Sequence, residues 1–250
     1  MLRSTKELEG YTLDARNGEM GRCRDFLFDD EQWAVRYMVA DTGRWLPDRK
    51  VLISPLFLGD PNWGSKRLQV DLTKEQVKES PPLSEDEPVS RQHEEAMFRF
   101  YGYPYYWVGN ALWGPEATPG ELKDRVEEAV APQEEKTEGD PHLRSVREVT
   151  GYHIQASDGE MGHVEDFILD DEFWTLRYMV VDTRNWLPGR KVLVAPSWVE
   201  SFDWTENMAS VSLTREQIKE SPRFDPREPI NREYEGQLYD FYGRPIYWED

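Results

Sequence analysis

The chain is poor in the residues that usually announce chemistry. It has one cysteine, Cys23, so no disulfide can form within it. Its four histidines, His93, His142, His153 and His163, fall in no HExxH pattern and no Cys/His cluster, which removes the usual zinc spacings. No Walker loop, GxGxxG or nucleophile elbow occurs. Bases are outnumbered, 30 Lys and Arg against 49 Asp and Glu, for a formal net charge of -19. Such a field repels phosphate backbones and anionic lipid surfaces, so no nucleic-acid partner is expected. No apolar run reaches the ~20 residues that span a bilayer, and the opening "MLRSTKELEGYTL" lacks the apolar core of a signal peptide. These absences predict a cytoplasmic chain, soluble or peripheral to a membrane complex. No direct membrane insertion, metal, cofactor or catalytic constellation is expected.

What is abundant is aromatic. The chain carries 10 Trp and 12 Tyr within 250 residues, which disordered chains rarely do. With a mean hydropathy of -0.79, this describes a folded protein with polar surfaces. Its length allows one or two domains.

An internal repeat dominates the sequence. Gly10 matches Gly151, Asp41 matches Asp182 and Trp107 matches Trp248, every pair at the same spacing. The register holds without a gap from Leu2 to Trp107, and roughly half the positions are identical, as expected of a duplicated module. The two copies form a small comparison inside one chain. Cys23 faces Val164 in it, which reads as a small buried hydrophobe, and none of the four histidines is shared.

Each copy reads as strands. "WAVRYMVAD" sets Trp33, Val35, Tyr37 and Val39 on one face, and "WTLRYMVVD" repeats this with Trp174, Leu176, Tyr178 and Val180. "KVLISP" and "KVLVAP" follow. "RLQVDLT" and "ASVSLT" turn Leu68, Val70 and Leu72, and Val211 and Leu213, inward. Upstream, Asn17-Gly18 and Asp158-Gly159 mark hairpin turns. Short helices are capped by Thr73 and Thr214, each with Gln at the reciprocal position, and stopped by Pro81 and Pro222. Ser90 and Asn231 cap a last helix before the tails "FRFYGYPYYW" and "YDFYGRPIYW". Between the copies, Gly114 to Pro141 has linker composition. Within it Thr118, Pro119 and Glu121 predict a helix start, with Leu122, Val126, Ala129 and Val130 on one face. Several short strands joined by tight turns predict an all-β fold of two small barrels in tandem. The expected parts are barrel one at 1–84, helix and tail at 85–113, linker at 114–141, barrel two at 142–225, and helix and tail at 226–250. The repeat implies a pseudo-twofold, like a homodimer fused into one chain.

The opening Gly10-Tyr11 with Gly18-Glu19-Met20-Gly21, the strand to Asp25, the "RYMV" strand and the strand ending at Pro55 resemble the PRC-barrel family, named for the photosynthetic reaction centre H subunit. Gly151-Tyr152, Gly159 to Gly162, Asp166, Arg177 to Val180 and Lys191 to Pro196 repeat the match. The resemblance implies a small β-barrel that works by binding another protein. It also brings in a second role, a membrane-side accessory of an electron-transfer complex. A small-molecule binder or enzyme using a cleft between barrels is the third reading.

Three sets of residues compete for function. The acids Asp25, Asp29, Asp30 and Glu31, with Asp166, Asp170, Asp171 and Glu172, read as polar turns, since Ca²⁺ needs more oxygens on a dedicated loop. "WLPDRKVL" and "WLPGRKVL" place Trp45, Arg49 and Lys50, and Trp186, Arg190 and Lys191, where an aromatic beside bases could hold an anion or an aromatic ligand. Turn chemistry at Pro47-Asp48 and Pro188-Gly189 accounts for all but the tryptophan. The tails offer Tyr105, Trp107, Tyr247 and Trp248 as interface anchors, against the plainer reading that they pack internally. The expectation is a non-catalytic protein-binding scaffold whose partner-binding candidates are these ten residues, with further oligomers left open.

Overall fold

The structure is a computed structural model, and it describes residues 1–84, 87–126, 143–183 and 190–248. The first copy runs β1 (Leu2–Ser4), α1 (Thr5–Leu8), β2 (Thr12–Ala15), β3 (Gly18–Asp29), β4 (Val35–Asp41), β5 (Val51–Ile53), a 3-10 turn at Pro55–Phe57, β6 (Leu58–Asn62), β7 (Arg67–Val70), α2 (Lys74–Glu79) and α3 (Arg91–Tyr101). Helix α4 (Pro119–Val126) follows. The second copy repeats the series as β8 (Leu143–Ser145), α5 (Val146–Val149), β9 (His153–Ala156), β10 (Gly159–Asp170), β11 (Thr175–Asp182), β12 (Lys191–Val194), a turn at Pro196–Trp198, β13 (Val199–Asp203), β14 (Met208–Val211), α6 (Arg215–Glu220) and α7 (Arg232–Tyr242).

Local chemistry explains the boundaries. Thr73 and Thr214 close full capping boxes with Gln76 and Gln217, so the first free N–H groups of α2 and α6 are met by side chains. Ser90 and Asn231 accept from the third residue of α3 and α7. Both helices end on a glycine in the left-handed region, Gly102 and Gly243, where a Cβ would be strained. Thr118 and Glu121 exchange hydrogen bonds at the start of α4. Of its expected apolar face, Leu122 is fully buried, and Ala129 and Val130 lie outside the described residues.

One sheet has the order β5-β4-β3-β2-β7-β6, the other β12-β11-β10-β9-β14-β13. A seventh strand joins each off this path, β8 on β3 and β1 on β10. The β2–β7 and β14–β9 ladders are parallel and the remaining described ladders antiparallel. The expectation of two all-β barrels is overturned. The fold is mixed α and β, 25% helical and 38% strand, in two seven-stranded sheets that do not close into barrels. Counting short strands and turns does not fix closure, which requires the two end strands to pair. Here β5 and β6 end one sheet and β12 and β13 the other. A helix supplies apolar cover: α3 buries Met97 and Phe98, and α7 buries Leu238 and Tyr239, each worth about 2 kcal/mol in water-exclusion terms.

The chain divides into two compact units that exchange their leading segments. One unit holds residues 1–6, 148–171 and 176–250, and the other holds 7–147 and 172–175. In the first, β1 pairs with β10 as Leu2↔Asp170, Arg3↔Leu169 and Ser4↔Ile168. In the second, β8 pairs with β3 as Leu143↔Asp29, Arg144↔Phe28 and Ser145↔Leu27. Each sheet is therefore completed by the leading strand of the other copy.

The Gly-turn-Gly opening has a steric cause. Gly21 sits at φ +150 with room for no side chain, since a Cβ would come 2.2 Å from the Asp41 carbonyl oxygen. Gly162 repeats this against Asp182 at 2.1 Å. Gly10, at φ +78, faces open space. Gly10→Ala should cost about 1 kcal/mol from backbone strain alone, and Gly21→Ala clearly more, because it adds a clash with backbone. Urea melts of the two variants check the order.

Candidate functional site

The most developed side-chain cluster is one that occurs twice. In the first copy the Glu94 carboxylate is completely buried and accepts from Tyr37 Oη at 3.0 Å and Tyr106 Oη at 2.8 Å on one oxygen. Its other oxygen accepts from Arg91 at 2.9 Å. In the second copy Glu235 accepts from Tyr178 Oη and Tyr247 Oη, both at 2.8 Å, and from Arg232 at 2.9 Å. The glutamate and arginine come from the tail helix, one tyrosine from a central strand and the other from the aromatic tail. Three elements of each unit meet on one buried charge.

Arginines cover the tail rings. Arg36, almost wholly buried, lies 4.0 Å from the centre of the Tyr106 ring and donates to Asp29 at 2.6 Å and to the Leu112 carbonyl at 2.7 Å. Arg91 lies 4.2 Å from the Trp107 ring, whose plane also stacks on Tyr105 at 4.6 Å. Arg177 lies 4.2 Å from Tyr247 and Arg232 lies 4.6 Å from Trp248. Tyr105, Trp107, Tyr247 and Trp248 thus pack against their own units. The plainer reading of the tails is the one their geometry shows.

The repeated octet is similarly occupied. Arg49 donates to the carbonyls of Lys78 and Ser80, both at 2.7 Å, at the C-terminal end of α2, where a cation meets the helix dipole. Arg190 donates to the equivalent Ser221 carbonyl. Lys50 reaches the Glu87 carbonyl at 2.6 Å, and Lys191 pairs with Glu165 at 2.6 Å. Trp45 is half-buried and donates its Nε1–H to the Met20 carbonyl at 2.7 Å, with the Lys74 ammonium 4.9 Å from its ring. Its ring also borders a surface depression of about 360 Å³ shared with Glu19, Arg22, Asp41 and Thr42. Trp186 lies outside the described residues.

The acidic turns are partly seats for the exchanged strands. Asp166 accepts from Ser4 Oγ at 2.5 Å and Thr5 Oγ1 at 2.8 Å, and Asp25 accepts from Ser145 Oγ at 2.5 Å and the Arg147 N–H at 3.1 Å. Asp30 pairs with Arg144 at 2.9 Å, and Asp29 and Asp170 hold Arg36 and Arg177. Among the described residues, no three His, Cys, Asp or Glu side chains are placed to share a metal ion. Cys23 is buried, and burial pushes its thiol well above the usual range, which disfavours the thiolate. A second cavity, about 180 Å³, lies in the first copy between Asp29, Gln32, Arg36, Arg91, Trp107 and Gly109.

Glu94 and Glu235 are the residues that reasoning from sequence missed. The signal was present: both glutamates, both arginines and all four tyrosines are shared between the copies. Comparison with family models and with curated proteins returned no match for this chain.

Burial raises the Glu94 carboxyl above its ordinary 4.5, against the opposing pull of Arg91 and the two phenols. A raised carboxyl favours folding in its protonated form. Its contribution is full below 4.5 and is lost as pH rises through the higher folded value. Glu94→Ala should destabilise by about 3 kcal/mol or more, because it strands a guanidinium and two phenols. Glu94→Gln, which keeps an acceptor, should cost less. Its deficit relative to the natural chain should narrow between pH 4.5 and neutrality. Parallel urea melts across that range check both statements.

Proposed function

We propose that the chain is a non-catalytic protein-binding scaffold made of two copies of one sheet-and-helix module. One observation carries this reading. Phe100 and Phe241 occupy matched positions on α3 and α7 and are 42% and 40% exposed. A single exposed phenylalanine is ordinary. On the same helices, however, exposed neighbours have diverged, Gln92 against Glu233 and Arg99 against Asp240, while the phenylalanine is kept in both copies. An apolar ring held in water twice is the side chain a partner would bury, since aromatic anchors dominate interface energetics.

A net charge of -19 selects a partner whose apolar pocket has a basic rim. Trp45, beside its depression, is a second contact in this reading. The resemblance of the two Gly-turn-Gly openings to PRC-barrel proteins supports the same function, since those proteins act by binding others, although no barrel is part of this proposal. We assign the chain to the cytoplasm, soluble or peripheral to a membrane complex. Among the described residues, no helix is long and apolar enough to cross a membrane.

A photo-crosslinking residue at position 100 or 241 should capture the partner in native lysate. Phe100→Ala/Phe241→Ala, assayed by capture without crosslinking, should lower recovery of that partner at least about tenfold, the loss expected for a hot-spot ring. Its urea midpoint should fall only modestly, since each substitution removes an edge contact with Tyr101 or Tyr242, and the variant should remain folded under the capture conditions. Undiminished recovery would remove the reading.

A further inference from the structure

We infer that the strand seats on β3 and β10 also accept the leading strand of a second copy of this chain, giving a strand-exchanged homodimer. The inference does not rest on the scaffold reading above.

The seats and strands share most of their chemistry. The strands are the same tripeptide, Leu-Arg-Ser, at 2–4 and 143–145. They dock in one register, since Ser4 faces Ile168 where Ser145 faces Leu27, its match in the other copy. At both seats the serine hydroxyl donates to an aspartate, Asp166 or Asp25, at 2.5 Å. The next backbone groups follow suit, with Lys6 N–H on Asp166 at 3.3 Å and Arg147 N–H on Asp25 at 3.1 Å. The arginines do the same: Arg144 pairs with Asp30 at 2.9 Å, and Arg3 reaches Asp171 at 3.8 Å. The difference lies at the next residue, where Thr5 Oγ1 adds a bond to Asp166 at 2.8 Å and the matching Val146 has no hydroxyl; the serine and backbone contacts are common to both seats.

The attachment is also not enforced locally. In a hairpin the turn sets register and holds the strand in place. Here Ser4 and Asp166 are 162 residues apart, and Ser145 and Asp25 are 120 apart. Such a strand finds its seat as a tethered segment, at an effective concentration of up to about 1 mM. At comparable protein concentration, a strand from another molecule competes on equal terms. Exchange of an identical element is the low-cost route to a dimer. The negative charge of both copies opposes their approach, so added salt should favour the dimer.

The test uses three full-length variants, Leu27→Cys, Ser145→Cys and the two together. Within one chain, Leu27→Cys/Ser145→Cys should close a disulfide, since these residues are direct partners. The two single variants, mixed in denaturant, refolded under reduction and then oxidised, should give a covalent heterodimer. Its yield should rise with refolding concentration toward about 1 mM and with salt. Failure of the double variant to close would show that β8 does not occupy this seat. A closed double variant with no mixed dimer at any concentration would equally overturn the inference. Because cysteine could weaken folding, the natural chain is refolded in parallel at low and high concentration. Light scattering should find dimer only after the concentrated refolding, and monomer in both would also overturn the inference.

Discussion

Glu94 and Glu235 are carboxylates almost without access to water, and each unit is organised around satisfying one of them. A buried charge persists only where its lone pairs are met and an opposite charge is near. That requirement brings a central strand, the tail helix and the aromatic tail of each unit to one point, through Tyr37, Arg91 and Tyr106 or through Tyr178, Arg232 and Tyr247. The aromatic tails are held to their units as a consequence. In each tail one tyrosine, Tyr106 or Tyr247, commits its hydroxyl to the glutamate and its ring face to an arginine. The phenylalanine on each tail helix, Phe100 or Phe241, is more exposed than these rings.

The second constraint is the exchange of leading strands. β3 and β10 are each twelve residues long, long enough to carry one strand beside the first half and another beside the second half of the same edge. The hairpin strand takes the first half. The second half would expose unpaired backbone groups, a site open to non-native pairing. An aspartate at the middle of each long strand, Asp25 or Asp166, recruits a serine hydroxyl and a backbone N–H from the arriving segment. The acids that looked like turn residues in a negatively charged chain thus close two sheet edges.

Much of the local structure was legible in the sequence. The strands around Tyr37 and Tyr178, the hairpin glycines, the capping boxes at Thr73 and Thr214 and the caps at Ser90 and Asn231 are short-range features whose physics lies within a few residues. The two-face alternation is not seen in burial, since both strands are buried on both faces. The barrel expectation failed for a different reason. Whether end strands pair depends on sheet curvature and on what covers the open side, and neither is written in a strand count. The ten binding candidates show the same divide. Arg49 and Arg190 looked available until the end of α2 or α6 was placed against them.

The sequence by itself determined the duplication, the strands around Tyr37 and Tyr178, the capped helices and the chemical identity of the shared residues, because these rest on composition, period and neighbouring side chains. Only the tertiary structure decided that the sheets stay open, that the leading strands change places and that Glu94 and Glu235 are buried. Each of those outcomes depends on contacts between residues 57 to 162 positions apart. Over such separations closure entropy grows only with the logarithm of loop length and discriminates weakly, so the geometry of the folded core selects the partner.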